Sequence, residues 1–171
     1  TKTLRSLFFA DHLITYTDST KQKLEALGFH NVTRIYPGID LNLYQPRAKD
    51  ENVLRTYGLT PEDFFVIYPG EYTRLGATDM LAETFLQYFS EHPDSSLKFL
   101  FACRIKNEAD RLKREATRKL VQEAGLEGKI LFDEQRATVD MAALYNTADV
   151  VIFPVSNLKG KFDVPLIIIE A

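Results

Sequence analysis

From Phe64 to the end, short runs of β-branched or aromatic residues alternate with longer segments of helical period. No other feature constrains the fold as tightly. The run Phe64-Phe-Val-Ile-Tyr68 is apolar at every position, as expected of a strand covered on both faces of a parallel sheet. Further strands are expected at 97–102, 129–132 and 150–153. Between them lie helical segments at 78–90, 107–124 and 139–147. The first places Met80, Leu81, Thr84, Phe85 and Tyr88 on one face, and the second repeats Ala109, Leu112, Ala116, Leu120 and Val121 at helical spacing before Gly125 stops it. Repeated strand–helix–strand units with right-handed crossovers build an α/β, doubly wound parallel sheet of Rossmann-like type.

Upstream, a strand at 12–16 leads into a helix capped by Asp18 or Ser19 and stopped at Gly28. A second strand at 32–36 runs into Pro37 and Gly38, which break the chain direction. Residues 41–63 are polar, carry Pro46 and Pro61 and hold one short helical candidate at 52–57. They read either as a linker between two units or as a long surface loop.

Several functions are excluded at this level. With 24 acidic against 21 basic side chains, the net charge of −3 argues against a nucleic-acid module. No apolar run reaches the roughly 18 residues of a membrane span. The single cysteine, Cys103, rules out a disulfide framework, suits a reducing compartment and reads as a small buried residue. His12, His30 and His92 lie far apart and without metal-ligand spacing, so no metal is expected. Gly-x-Gly-x-x-Gly, Gly-Lys-Ser/Thr and Gly-x-Ser-x-Gly signatures are absent, which argues against dinucleotide oxidoreductases, P-loop nucleotidases and α/β-hydrolases. With no Asp-x-Asp there is no candidate for a metal-bridged diphosphate. In open α/β sheets ligands bind beyond the carboxyl ends of the strands. That rule directs attention to the loops at 69–77, 102–107, 133–139 and 154–165.

A series of motifs then carries a resemblance. Ala10-Asp-His-Leu-Ile-Thr-Tyr-Thr17, Lys23-Leu-Glu-Ala-Leu-Gly28 and Ile35-Tyr-Pro-Gly-Ile-Asp40 come first. Ile67-Tyr-Pro-Gly-Glu71, the stretch from Ala142 to Pro154 and Pro165-Leu-Ile-Ile-Ile-Glu-Ala171 follow. In this order and spacing they resemble the group 1 (family 4) retaining glycosyltransferases of GT-B architecture, two Rossmann-like domains facing across a cleft. The resemblance implies that 1–40 is the tail of the N-terminal, acceptor-side domain and 41–63 the interdomain linker. Residues 64–171 would be the C-terminal nucleotide-sugar domain, truncated at its end, so the fragment alone is expected to be inactive.

The implied function is transfer of a sugar from a nucleotide-diphosphate donor to a glycan or lipid-linked acceptor, without a cofactor. A hexosyl group is the expected cargo, and the expected location is cytoplasmic, at the inner face of a membrane if the N-terminal domain reaches one. The alternative is a non-catalytic relative that binds a nucleotide or a partner.

The resemblance also assigns residues. Glu170 falls at the second glutamate of the family's paired-glutamate motif, whose carboxylate accepts from the ribose hydroxyls; the other reading is a helix-bound, internally paired glutamate. Pro165 opens that helix, so the N–H groups of Leu166 and Ile167 are candidates for the diphosphate, although Asp163 is placed to cap the helix itself. Arg74 is the expected catalytic cation at the leaving diphosphate, the other reading being a surface arginine, and Gly70 would let the backbone approach the ligand. Arg104 and Lys106 follow the 97–102 strand as further phosphate candidates, or as solvated loop cations. The nucleobase is expected near 133–136. The pattern departs in two places: Phe162 stands for the first glutamate, and Glu71 and Leu75 stand for the usual arginine and lysine. Lys159 and Lys161 would meet the diphosphate or an acidic sugar instead, or remain solvated.

Overall fold

A small two-stranded parallel sheet comes first in the computed structural model, which describes residues 10–74, 76–133, 140–155 and 165–171. Strand β1 (Leu13–Thr15) pairs with β2 (Val32–Arg34) through helix α1 (Asp18–Ala26). The cap of α1 is Thr17, neither Asp18 nor Ser19: its hydroxyl accepts from the Thr20 N–H at 3.2 Å, while Asp18 is already the first helical residue. Gly28 follows the C-cap Leu27 with φ 87°, the left-handed conformation that ends the helix.

After helix α2 (Glu51–Tyr57) comes the main sheet. Its strands are β3 (Phe64–Tyr68), β4 (Leu97–Phe101), β5 (Ile130–Phe132) and β6 (Val150–Val151), all parallel, in the order β5-β4-β3-β6. Helices α3 (Thr78–Glu91), α4 (Glu108–Glu123) and α5 (Met141–Thr147) connect them, and α6 (Leu166–Glu170) closes the chain. From β3 the chain builds outward to β4 and β5, then returns to place β6 on the other side of β3. This is the doubly wound order, and the reversal between β3 and β6 is its switch point.

Both faces of β3 are covered, as its unbroken apolar run requires. Val66 and Tyr68 pack with Phe99 and Phe101 under Leu81, Ala82 and Phe89 of α3 and Val121 of α4. Phe65 and Ile67 pack with Leu100 under Val53 of α2, Leu59, and Leu144 and Tyr145 of α5. Each large apolar side chain so buried contributes about 1.5–3 kcal/mol. Residues 41–63 thus contain α2, one of the helices that cover the sheet.

Two helical faces differ from the periodicity. In α3, Met80 is 48% exposed and Thr84 is exposed, while Leu81, Ala82 and Phe89 are buried. The difference in α4 is greater: Leu112 is 56% and Leu120 49% exposed, Ala109 and Ala116 are exposed too, and the buried residues are Asp110, Thr117 and Val121. That inward face is largely polar but satisfied. Thr117 Oγ1 donates to the Lys113 carbonyl at 2.9 Å, and Asp110 accepts from Thr73 Oγ1 at 2.6 Å and the Lys106 N–H at 3.1 Å. Cys103 is buried, its thiol 3.7 Å from the Tyr68 carbonyl.

Candidate functional site

At the switch point β3 leaves the sheet through Pro69-Gly70-Glu71, and the chain beyond β6 passes through Phe153. A cavity of about 200 Å³ opens there, lined by Tyr44, Pro69, Gly70, Glu71, Arg104, Met141, Tyr145, Phe153, Ile167 and Glu170. It shares Tyr44, Tyr145 and Glu170 with a neighbouring recess of about 340 Å³. Together the two reach the size range of small-molecule sites. A groove of about 390 Å³ at the β5 edge has Arg118 5.9 Å from the Phe132 ring, but it lies away from the switch point.

Of the residues expected at the donor, Gly70, Arg104, Ile167 and Glu170 line this cavity. Lys106 stands beside it, its ammonium 2.5 Å from Glu71 Oε1. Arg74 and Leu166 are exposed and are not among the lining residues. In α6 the Ile168 N–H bonds to the Pro165 carbonyl at 3.1 Å. Leu75, residues 134–136, Lys159, Lys161, Phe162 and Asp163 lie outside the described residues. Asp133 is described and buried, and its carboxylate accepts from the Tyr57 hydroxyl at 3.1 Å.

Packing also demands a glycine at position 70. A Cβ there would come within 2.0 Å of Tyr68 Cζ, so the fully buried Tyr68 ring occupies the space a side chain would need. The Tyr68 hydroxyl reaches the Glu71 carbonyl at 3.5 Å, and burial drives its phenol pKa well above the ordinary value.

Loop geometry at the rim is set by β-pairing and by one carboxylate. Glu71 and Arg104 form a parallel bridge that prolongs the β3–β4 alignment past the strand ends. Asp110, from the first turn of α4, joins the two loops through Thr73 and the Lys106 N–H. At the far wall the Tyr145 hydroxyl donates to Glu170 Oε2 at 3.4 Å, and the Tyr44 and Tyr145 rings lie 6.2 Å apart. Burial, then the charges of Glu170 and Asp140, raise the Tyr44 phenol pKa. Glu71 was noted only as standing in for the usual arginine, and Tyr44, Asp110 and Tyr145 are among the residues that sequence reasoning left out of the site. Tyr145 was within reach, since it sits inside the quoted 142–154 motif; nothing local marks Tyr44. Among the described residues no three His, Cys, Asp or Glu side chains are grouped to hold a metal ion. No described helix is long and apolar enough to cross a membrane.

No protein-family model matches the chain. It is 23% identical over 154 residues to a D-inositol 3-phosphate glycosyltransferase of Corynebacterium urealyticum, covering 86% of this chain and 36% of that protein. Its identity to the enzyme of the same name from Corynebacterium kroppenstedtii is 24% over 156 residues, 86% of this chain and 34% of the relative. The chain therefore spans about a third of the length of the curated relatives it matches. Among solved structures, a glycosyltransferase from Rickettsia africae superposes with a TM-score of 0.64 at 16% identity, over 82% of this chain and 37% of that one. Sucrose-phosphate synthase from Thermosynechococcus elongatus gives 0.63 at 21% identity, over 94% and 38%. An Anabaena protein solved in complex with UDP and glucose gives 0.58 at 18% identity, over 84% and 37%. In sequence and in structure the chain resembles glycosyltransferases, and its doubly wound sheet has the fold of a Rossmann-like half of the GT-B architecture.

Proposed function

We propose that this chain supplies the donor side of a retaining group 1 glycosyltransferase, moving a hexosyl group from a nucleotide-diphosphate sugar to a glycan or lipid-linked acceptor. The observation that carries this reading is the cavity at the switch point, where Gly70, Arg104, Ile167 and Glu170 meet. Glu170, an acceptor-only group when ionised, takes the two vicinal ribose hydroxyls. Arg104 pairs with the diphosphate through parallel N–H bonds, and Arg74 reaches the same group from the neighbouring loop. Stabilising the departing diphosphate is the main electrostatic task of such a site.

In this reading residues 1–40 belong to the acceptor-side unit, 41–63 connect it, and 64–171 bind the donor. Transfer then requires closure against an acceptor half, at the inner membrane face when the acceptor is lipid-linked, and the chain by itself turns over no donor.

The Glu71–Lys106 pair favours a second reading, a nucleotide- or partner-binding module without turnover, because it commits a rim cation to a protein carboxylate. Calorimetric titration with UDP and GDP tests the donor site. Binding that weakens about tenfold in Glu170→Ala and in Arg104→Ala supports it, a loss of the size expected for a hydrogen bond to a charged group. Absence of binding at millimolar nucleotide refutes it. Transfer assays on a protein joined to its acceptor half separate the two readings.

A further inference from the structure

Glu170 enters the cavity from α6, whose N-cap Pro165 makes no side-chain cap bond. A carboxylate meant to receive two hydroxyls in a set geometry needs an anchor that fixes its orientation. Among the described residues, one group bonds to it: the Tyr145 hydroxyl, at 3.4 Å from Oε2. Tyr145 is itself fixed. It is 7% exposed, belongs to the core cluster under Phe65 and Ile67, and sits on α5, whose N-cap Asp140 accepts from the Ala142 N–H at 3.0 Å. Tyr44 closes the other side, its ring 6.2 Å from that of Tyr145 and its phenol within the field of Glu170.

We infer that Tyr145 is a positioning residue for Glu170: its hydroxyl holds Oε2 and turns the remaining lone pairs of the carboxylate toward the ribose diol, so that the cavity selects ribonucleotides over their deoxy forms. The inference rests on the donor-site reading above. A phenol suits this task because its rigid ring delivers one O–H at a defined point, at a cost of two side-chain torsions only. A neutral donor also leaves the carboxylate its charge, which a lysine or arginine partner would neutralise.

The test compares UDP and GDP with their 2′,3′-dideoxy forms by calorimetry on the full chain, and reads the ratio of affinities for the ribo and dideoxy ligands. Removal of one hydrogen bond to a charged group predicts that Tyr145→Phe lowers this ratio about three- to tenfold. Affinity for the dideoxy ligands changes little. Glu170→Gln also lowers the ratio, and adding Tyr145→Phe to it produces no further loss, as required of two groups acting through one contact. Tyr88→Phe, which removes a phenol bonded to Ser95 at the amino-terminal end of β4, leaves the ratio unchanged and controls for the loss of a hydroxyl as such. A ratio that persists in Tyr145→Phe but falls in Glu170→Gln overturns the positioning role and leaves the donor site standing. A wild-type chain that binds none of these nucleotides overturns both.

Discussion

The ammonium of Lys106 lies 2.5 Å from Glu71 Oε1, the lysine side chain 44% exposed and the glutamate 11%. Glu71 lines the cavity and so brings a negative charge to a wall where a diphosphate would sit; Lys106 offsets that charge locally. Water reaches the lysine end and screens the pair, which keeps its net worth near that of surface bridges, about 1 kcal/mol.

Substitution at either end therefore has different consequences. Lys106→Ala leaves a nearly buried carboxylate without this ion partner and is expected to lower stability by about 1 kcal/mol in urea denaturation. Glu71→Gln removes a charge from the rim and frees the ammonium, so UDP or GDP affinity rises about fivefold by calorimetry, an effect that added salt reduces. Unchanged affinity in Glu71→Gln places the diphosphate elsewhere.

Gly70→Ala forces a Cβ to within 2.0 Å of a ring that has no exposed surface into which to move. Overpacking of this kind costs about 1–3 kcal/mol. The double variant Gly70→Ala with Tyr68→Leu is expected to be more stable than the sum of the two single losses, because the second change removes the obstructing ring. Strict additivity in denaturation curves contradicts this account of Gly70.

Asp110 is 3% exposed and joins the Thr73 and Lys106 loops to α4. Asp110→Ala strands the Thr73 hydroxyl and the Lys106 N–H, with an expected loss of about 1–3 kcal/mol. Faster amide exchange at Lys106, measured by NMR, accompanies that loss; retained protection shows that another group holds the loop.

The Tyr44 phenol titrates above its ordinary range, first through partial burial and second because the Glu170 carboxylate opposes the phenolate. The pKa is raised in the folded state, so the associated stability is present below the ordinary phenol value and is lost as pH rises through the folded value. In Glu170→Gln the phenol titrates closer to its ordinary range but stays above it, since burial persists; alkaline ultraviolet titration against Tyr44→Phe isolates the signal. An unmoved midpoint separates Tyr44 electrostatically from Glu170.

Much of the fold was legible because it rests on local pattern. Phe64–Tyr68 has no polar position, and a strand of that kind needs cover on both sides. The positions of Gly28 and Gly125 just past their helices follow from the left-handed backbone, which glycine adopts without steric cost. The face of α4 was not legible. Its apolar stripe is a valid helical period, yet Asp110 turns inward to meet the Thr73 hydroxyl and the Lys106 N–H, Thr117 is buried with its hydroxyl bonded back to the Lys113 carbonyl of its own helix, and Leu112 and Leu120 are left about half exposed.

What the sequence by itself determined is the alternation of strands and helices and the parallel sheet it implies, because side-chain periodicity and turn chemistry are properties of neighbouring residues. Tertiary structure alone decided that Tyr44 arrives beside Glu170, that Lys106 answers Glu71 and that the Tyr68 ring demands a glycine at 70. These outcomes depend on where distant segments meet once the core has packed, and on which polar groups then find partners within hydrogen-bond reach.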